Sequence, residues 1–121
     1  MKRVIIESPY AAANGHTVAD HEAYARRCMA DSLARGEAPF ASHLLYTQPG
    51  VLDDGDADQR RLGMRAGHAW LRHAALLAVY TDYGLSAGMT ERIDLASVIG
   101  IKVAKRLIGK DGAFNARGAG A

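Results

Sequence analysis

Short apolar runs alternate with longer amphipathic stretches along this chain. The first run, Arg3-Val-Ile-Ile-Glu7, is β-branched and bounded by Ser8-Pro9; because Pro9 forbids helical continuation, it predicts a buried first strand. Thr17-Val-Ala-Asp20 has the form of a capping box, and Val18, Ala25, Cys28, Met29, Ser32 and Leu33 then recur at helical spacing until Gly36, which predicts a helix over roughly 18–35. Pro39 to His43, running on to Tyr46, predicts a second strand, and the turn residues of 47–55 a loop. Leu62, Ala66, Ala69, Trp70 and His73 mark one face of a second helix that begins at Asp56 or Ala57, with Gly63 and Gly67 at points of close packing. The unbroken apolar run Ala74 to Asp82 reads as a helix end passing into a strand buried on both faces. Gly84 to Gly88 then forms a turn, Met89, Ile93, Ala96 and Ser97 line a third helix that stops at Gly100, and Ile101 to Ala104 begins a fourth strand extending toward Leu107.

The order β-α-β-α-β-α-β with short connections predicts an α/β fold, a small Rossmann-like or flavodoxin-like three-layer sandwich on a four-stranded parallel sheet. Residues 1–108 form this single domain, and the Gly- and Ala-rich segment 109–121 reads as a flexible tail. With 121 residues there is room for one core and not two. The 13 Gly and 23 Ala imply thin side chains and closely approaching backbones, as where helices press on a sheet. A net charge of +2, with 15 basic residues scattered among 13 acidic ones, argues against a polynucleotide partner. The single cysteine, Cys28, rules out an internal disulfide and reads as an inert core thiol; no apolar run is long enough for a membrane span or a signal peptide, so a cytoplasmic location is predicted.

In open parallel sheets the ligand sits beyond the carboxyl ends of the strands, where the strand order reverses. That rule nominates Ser8-Pro9-Tyr10, the stretch from His43 to Tyr46, and Asp82 to Glu91. In the last of these, Asp82 and Glu91 are two carboxylates that can share a pocket, while Ser86 and Gly88 lie where a helix start offers free amides to an anion. The alternative is that Asp82 only punctuates a strand end and Glu91 only complements the helix dipole. Asp54-Gly-Asp-Ala-Asp58 lacks the glycine and the final glutamate of a calcium loop, and the five histidines make no metal signature, so neither a metal nor a cofactor is predicted.

Val4-Ile-Ile-Glu-Ser-Pro-Tyr10, Gly84-Leu-Ser-Ala-Gly-Met-Thr-Glu91 and the following Ile101-Lys-Val resemble the nucleoside 2-deoxyribosyltransferase-like superfamily, which also contains deoxynucleoside monophosphate N-glycosidases. The middle of the chain, Tyr24 to Gln48, is similar to a small branch of that kind common in phage and bacterial genomes. The resemblance implies that Glu91 attacks C1′ of a deoxyribosyl group as the base leaves. It implies too that Ser8 and the 86–88 turn hold the sugar or its 5′-phosphate, with Tyr10 against the sugar or base. The superfamily's further acid on the helix before the central strand is missing from Ala66-Gly-His-Ala-Trp70, which leaves Asp82 or His68 in its place. The partner implied is a nucleoside or nucleotide, acted on by a homodimer or larger homo-oligomer. The alternative is a protein that binds the nucleotide without turning it over.

Overall fold

The computed structural model describes residues 1–109, so the predicted tail lies outside the described residues from position 110 on. The elements run β1 (Arg3–Glu7), α1 (Val18–Ala34), β2 (Ala38–Phe40), α2 (Ser42–Leu45), α3 (Ala57–Leu71), β3 (Leu76–Tyr80), α4 (Ala87–Ile99) and β4 (Val103–Arg106). All strand pairs are parallel, in the order β2-β1-β3-β4. The chain therefore builds outward from β1 to β2, then returns across β1 to lay down β3 and β4. The reversal point lies between β1 and β3.

The period of two along the strands makes the sheet the middle of three layers. Val4 and Ile6 of β1, with Leu76, Ala78 and Tyr80 of β3, pack toward Tyr24 and Cys28 of α1. Their alternates Ile5, Leu77 and Val79 pack toward Leu71 of α3 and Met89 and Ala96 of α4. β3 is buried along its whole length, as its unbroken apolar run predicts. The capping box at Thr17 is made: Asp20 N–H donates to Thr17 Oγ1 and Thr17 N–H to Asp20 Oδ2. At the other end of the chain's helices, Gly100 closes α4 in the left-handed conformation.

Three features depart from the sequence prediction. The second strand ends at Phe40, and the residues expected to prolong it form the short helix α2, so His43 sits on a helical turn. As an edge strand, β2 has only β1 to pair with, over three residues, and little holds the extended form beyond that. The inward face of α3 is also rotated. Leu62 and Trp70 are 53% and 51% exposed, while Gly67 and Leu71 are buried. A Cβ on Gly67 would stand 2.7 Å from Ser42 Oγ and 2.7 Å from an Arg92 guanidinium nitrogen, so α3 comes in on its glycines as close packing requires. In α1, Leu33 faces outward and the buried row is His21, Tyr24, Cys28 and Asp31, a helical stripe that contains polar side chains.

Those polar residues are bonded. Tyr80 Oη donates to Asp31 Oδ2 at 2.8 Å, and Arg106 holds Glu37 through two hydrogen bonds of 2.8 and 2.7 Å. Burial pushes the Cys28 thiol well above its ordinary range, which makes it a poor nucleophile. Among the described residues, no helix is long and apolar enough to cross a membrane.

Candidate functional site

A cavity of about 430 Å³ opens at the carboxyl end of β1, at the reversal point of the sheet, within the size range of small-molecule sites. Glu7, Ser8 and Tyr10 line it from the end of β1, Ser42 and His43 from α2 with Tyr46 just after it, and Gly63 and Met64 from α3. Ser86, Gly88, Glu91 and Arg92 close it from α4. A second cavity of about 320 Å³ adjoins it and shares Tyr10, Thr47, Asp54 and Arg60.

The loop after β1 is shaped by a tight hairpin in which Ala13 and His16 exchange backbone hydrogen bonds across Asn14 and Gly15, both at positive φ. The His16 ring stacks on Tyr83 at 4.0 Å, and Tyr83 stacks on Tyr24 at 4.3 Å, which fastens the hairpin to α1. Tyr10, just before the hairpin, is thereby placed over the cavity while its carbonyl bonds His21 Nδ1 at 3.1 Å.

Of the predicted site residues, Ser8, Tyr10, His43, Ser86, Gly88 and Glu91 line this one cavity. Ser8 Oγ and His43 Nε2 share a hydrogen bond of 2.7 Å. Burial, with the Arg92 charge nearby, lowers the His43 pKa to about 4, so its imidazole is neutral at physiological pH. Ser86 is the N-cap of α4 and accepts from Met89 N–H at 3.3 Å. Gly88 faces Met64, whose terminal carbon would lie 3.7 Å from an added Cβ, an ordinary contact. Glu91 is held by His68 of α3, with 3.2 Å between Oε2 and Nε2, and its side chain is 61% exposed.

Two predicted residues stand apart. Pro9 does not line the cavity. Neither does Asp82, whose carboxylate turns toward α1 and the exit of β4: Tyr24 Oη donates to it at 2.5 Å, and the amides of Ile108 and Gly109 at 3.1 and 2.9 Å. Burial works to raise the Asp82 carboxyl, but these donors overcome it and hold it below the usual carboxylate range.

Sequence reasoning missed the most buried charges in the cavity wall, Glu7 and Arg92, which are 7% and 3% exposed. Arg92 NH1 lies 3.5 Å from Glu7 Oε2 and 3.4 Å from Ser42 Oγ. Burial raises the Glu7 carboxyl to about 7 although the Arg92 charge lowers it. A glutamate ending an apolar strand looks like its solvated boundary; its continuation of the Ile5 face was the available signal. Glu7 Oε2, Arg92 Nε and His43 Nδ1 are all buried and lack hydrogen-bond partners, so the wall of the cavity presents unsatisfied polar atoms. Among the described residues, no group of three or more His, Cys, Asp or Glu side chains is arranged to hold a metal ion.

A family model described as a domain of unknown function, DUF7768, matches residues 2–106. No curated protein matches the sequence. Among solved structures, the chain is similar to a 2-deoxyribosyltransferase from the psychrotolerant bacterium Bacillus psychrosaccharolyticus, with a TM-score of 0.60 and 15% identity. The likeness covers 89% of this chain and 74% of the other, and it bears out the Rossmann-like α/β fold.

Proposed function

The chain belongs to the DUF7768 domain family, and on that premise and the contents of its cavity we propose that it hydrolyses or transfers the N-glycosidic bond of a deoxynucleoside or deoxynucleoside monophosphate, with Glu91 as nucleophile. The observation that carries this proposal is the opening of Glu91 onto a cavity at the reversal point of the sheet that Ser8 and Tyr10 also line. The likeness to a 2-deoxyribosyltransferase supports the choice of reaction. Cleavage of a deoxyribosyl bond passes through an oxocarbenium-like transition state, which a carboxylate on one face of the sugar stabilises and then captures at C1′. His68 fixes one Glu91 oxygen, which leaves the other for that attack. Ser8, Ser86 and the first amides of α4 are suited to hydroxyls of the sugar or to a 5′-phosphate, and Arg92 adds positive charge to that wall.

The chemistry is tested by incubating the protein with a panel of deoxynucleosides and their monophosphates and following free base by chromatography. Wild type is expected to release base, and Glu91→Gln to release it at least about 100-fold more slowly. Equal rates for the two proteins would exclude Glu91 as nucleophile. The withdrawal of Asp82 from the cavity favours one alternative, a protein that binds a nucleotide without turnover. Calorimetric binding with no base released from any substrate would establish that alternative.

A further inference from the structure

We propose that Glu7 is the acid that protonates the departing base and then, as a base, takes a proton from the water or acceptor hydroxyl that replaces it. This assignment rests on the reaction proposed for Glu91. The two carboxyl groups line the same cavity from different elements, Glu7 from the end of β1 and Glu91 from α4. Their surroundings are opposite in kind. The Glu91 side chain is 61% exposed and anchored by His68, whereas that of Glu7 is 9% exposed, with an oxygen that accepts no hydrogen bond. Two carboxyls driven apart by environment divide the roles of nucleophile and acid.

A second glutamate–arginine pair among the described residues, partly buried, shows what a structural pair looks like here. Glu37 and Arg106 close to 2.7 and 2.8 Å in a two-pronged contact, and the Arg106 hydrogen bonds hold the Glu37 carboxyl below its ordinary value. Glu7 and Arg92 stop at 3.5 Å, Arg92 Nε is also without a partner, and Glu7 is raised to about 7 by burial. A carboxyl in that state gives up a proton and recovers it at neutral pH. The charged and titratable groups that line the cavity with it are Arg92 and Glu91 of α4, His43 of α2, Tyr46 just after α2, Arg60 of α3, Asp54 before α3, and Tyr10, while His68 of α3 is bonded to Glu91.

The step balances without a co-reactant beyond water. A bond forms from Glu91 Oε to C1′ as the C1′–N bond breaks, the electron pair passes to the base, and the Glu7 proton joins a base nitrogen. In the second half, water oxygen bonds to C1′, the ester pair returns to Glu91, and the water proton restores Glu7. The products are free base and deoxyribose, or its phosphate.

The test uses leaving groups that differ in their need for a proton. From 2′-deoxyguanosine or its monophosphate, Glu7→Gln is expected to release base at least about 100-fold more slowly than wild type. From 7-methyl-2′-deoxyguanosine, matched in phosphorylation, the cationic base leaves without being protonated, and the loss in kcat/KM, which ends at base release and not at the later water step, should be under about tenfold, which also reports that the variant is folded. Glu91→Gln should lose both substrates. Equal losses for Glu7→Gln on the two substrates, or none on either, would overturn the assignment while leaving the proposed reaction standing. If wild type releases base from neither, both proposals fall. Should Glu7→Gln not fold, the wild-type pH profile decides: kcat/KM for the unmethylated substrate should fall as pH rises through about 7, and that for 1,7-dimethyl-2′-deoxyguanosine, whose base has no N1–H to lose and stays cationic, should not. Parallel profiles would overturn the assignment.

Discussion

Gly67 joins packing to chemistry at a single position. Alanine would improve the helix propensity of α3 by about 1 kcal/mol. Its Cβ, however, would press on Ser42 Oγ and the Arg92 guanidinium, each at 2.7 Å, and overpacking of this kind costs about 1–3 kcal/mol. The net effect on stability is a loss of about 0–2 kcal/mol, small in a thermal melt. The functional effect should be larger, because the group that gives way is the cation beside Glu7. Gly67→Ala is therefore predicted to melt within about 10 °C of wild type and to lose at least about tenfold in base release, measured on the same preparation. A variant with wild-type turnover would show that Arg92 need not stay where it is. The glycine was visible in the sequence as a point of close packing; what it packs against was not, because Ser42 and Arg92 are far from it along the chain.

At the scale of elements, Asp82 ends β3 and ties it to both neighbours, to α1 through Tyr24 and to the exit of β4 through the amides of Ile108 and Gly109. This is a strong junction. Because its folded carboxyl lies below the ordinary value of 3.8, it contributes stability that is fully present above that value and is lost as pH falls through the folded one. Asp82→Asn should lower Tm at pH 7, and the gap between the two proteins should narrow below about pH 3.8. A constant gap down to pH 2 would mean that the charge on Asp82 is not what holds the junction. Strand-end acids and site acids look alike in sequence, since both follow an apolar run; they differ in which face of the sheet the side chain joins. Glu7 and Asp82 are the two cases in this chain, and they went opposite ways. α2 shows a second limit, since Ser42 to Leu45 suits strand or helix equally and only the short pairing of β2 with β1 decided for helix.

For the whole molecule, the outward face of α3 matters most. Leu62 and Trp70, predicted to face the core, stand about half exposed, and Trp70 is steadied at the surface by a 2.9 Å hydrogen bond to Tyr46 Oη. Among the described residues, β2 and β4 each pair with a strand on one side only. We expect a homodimer or larger homo-oligomer, and light scattering at micromolar concentration should give a mass at least twice 12.9 kDa. A monomeric mass would remove that expectation. By itself the sequence determined the alternation of strands and helices apart from α2, the all-parallel sheet and the end of β1 where the cavity opens, because period, caps and turn residues are local signals carried by neighbours in the chain. Only the tertiary structure decided which face of α1 and α3 turns inward, that Asp82 is withdrawn from the cavity, and that Glu7 and Arg92 meet in its wall. These are outcomes of burial and of partners dozens of residues away, and a polar side chain does not announce from its own position whether water or a bonded partner will surround it.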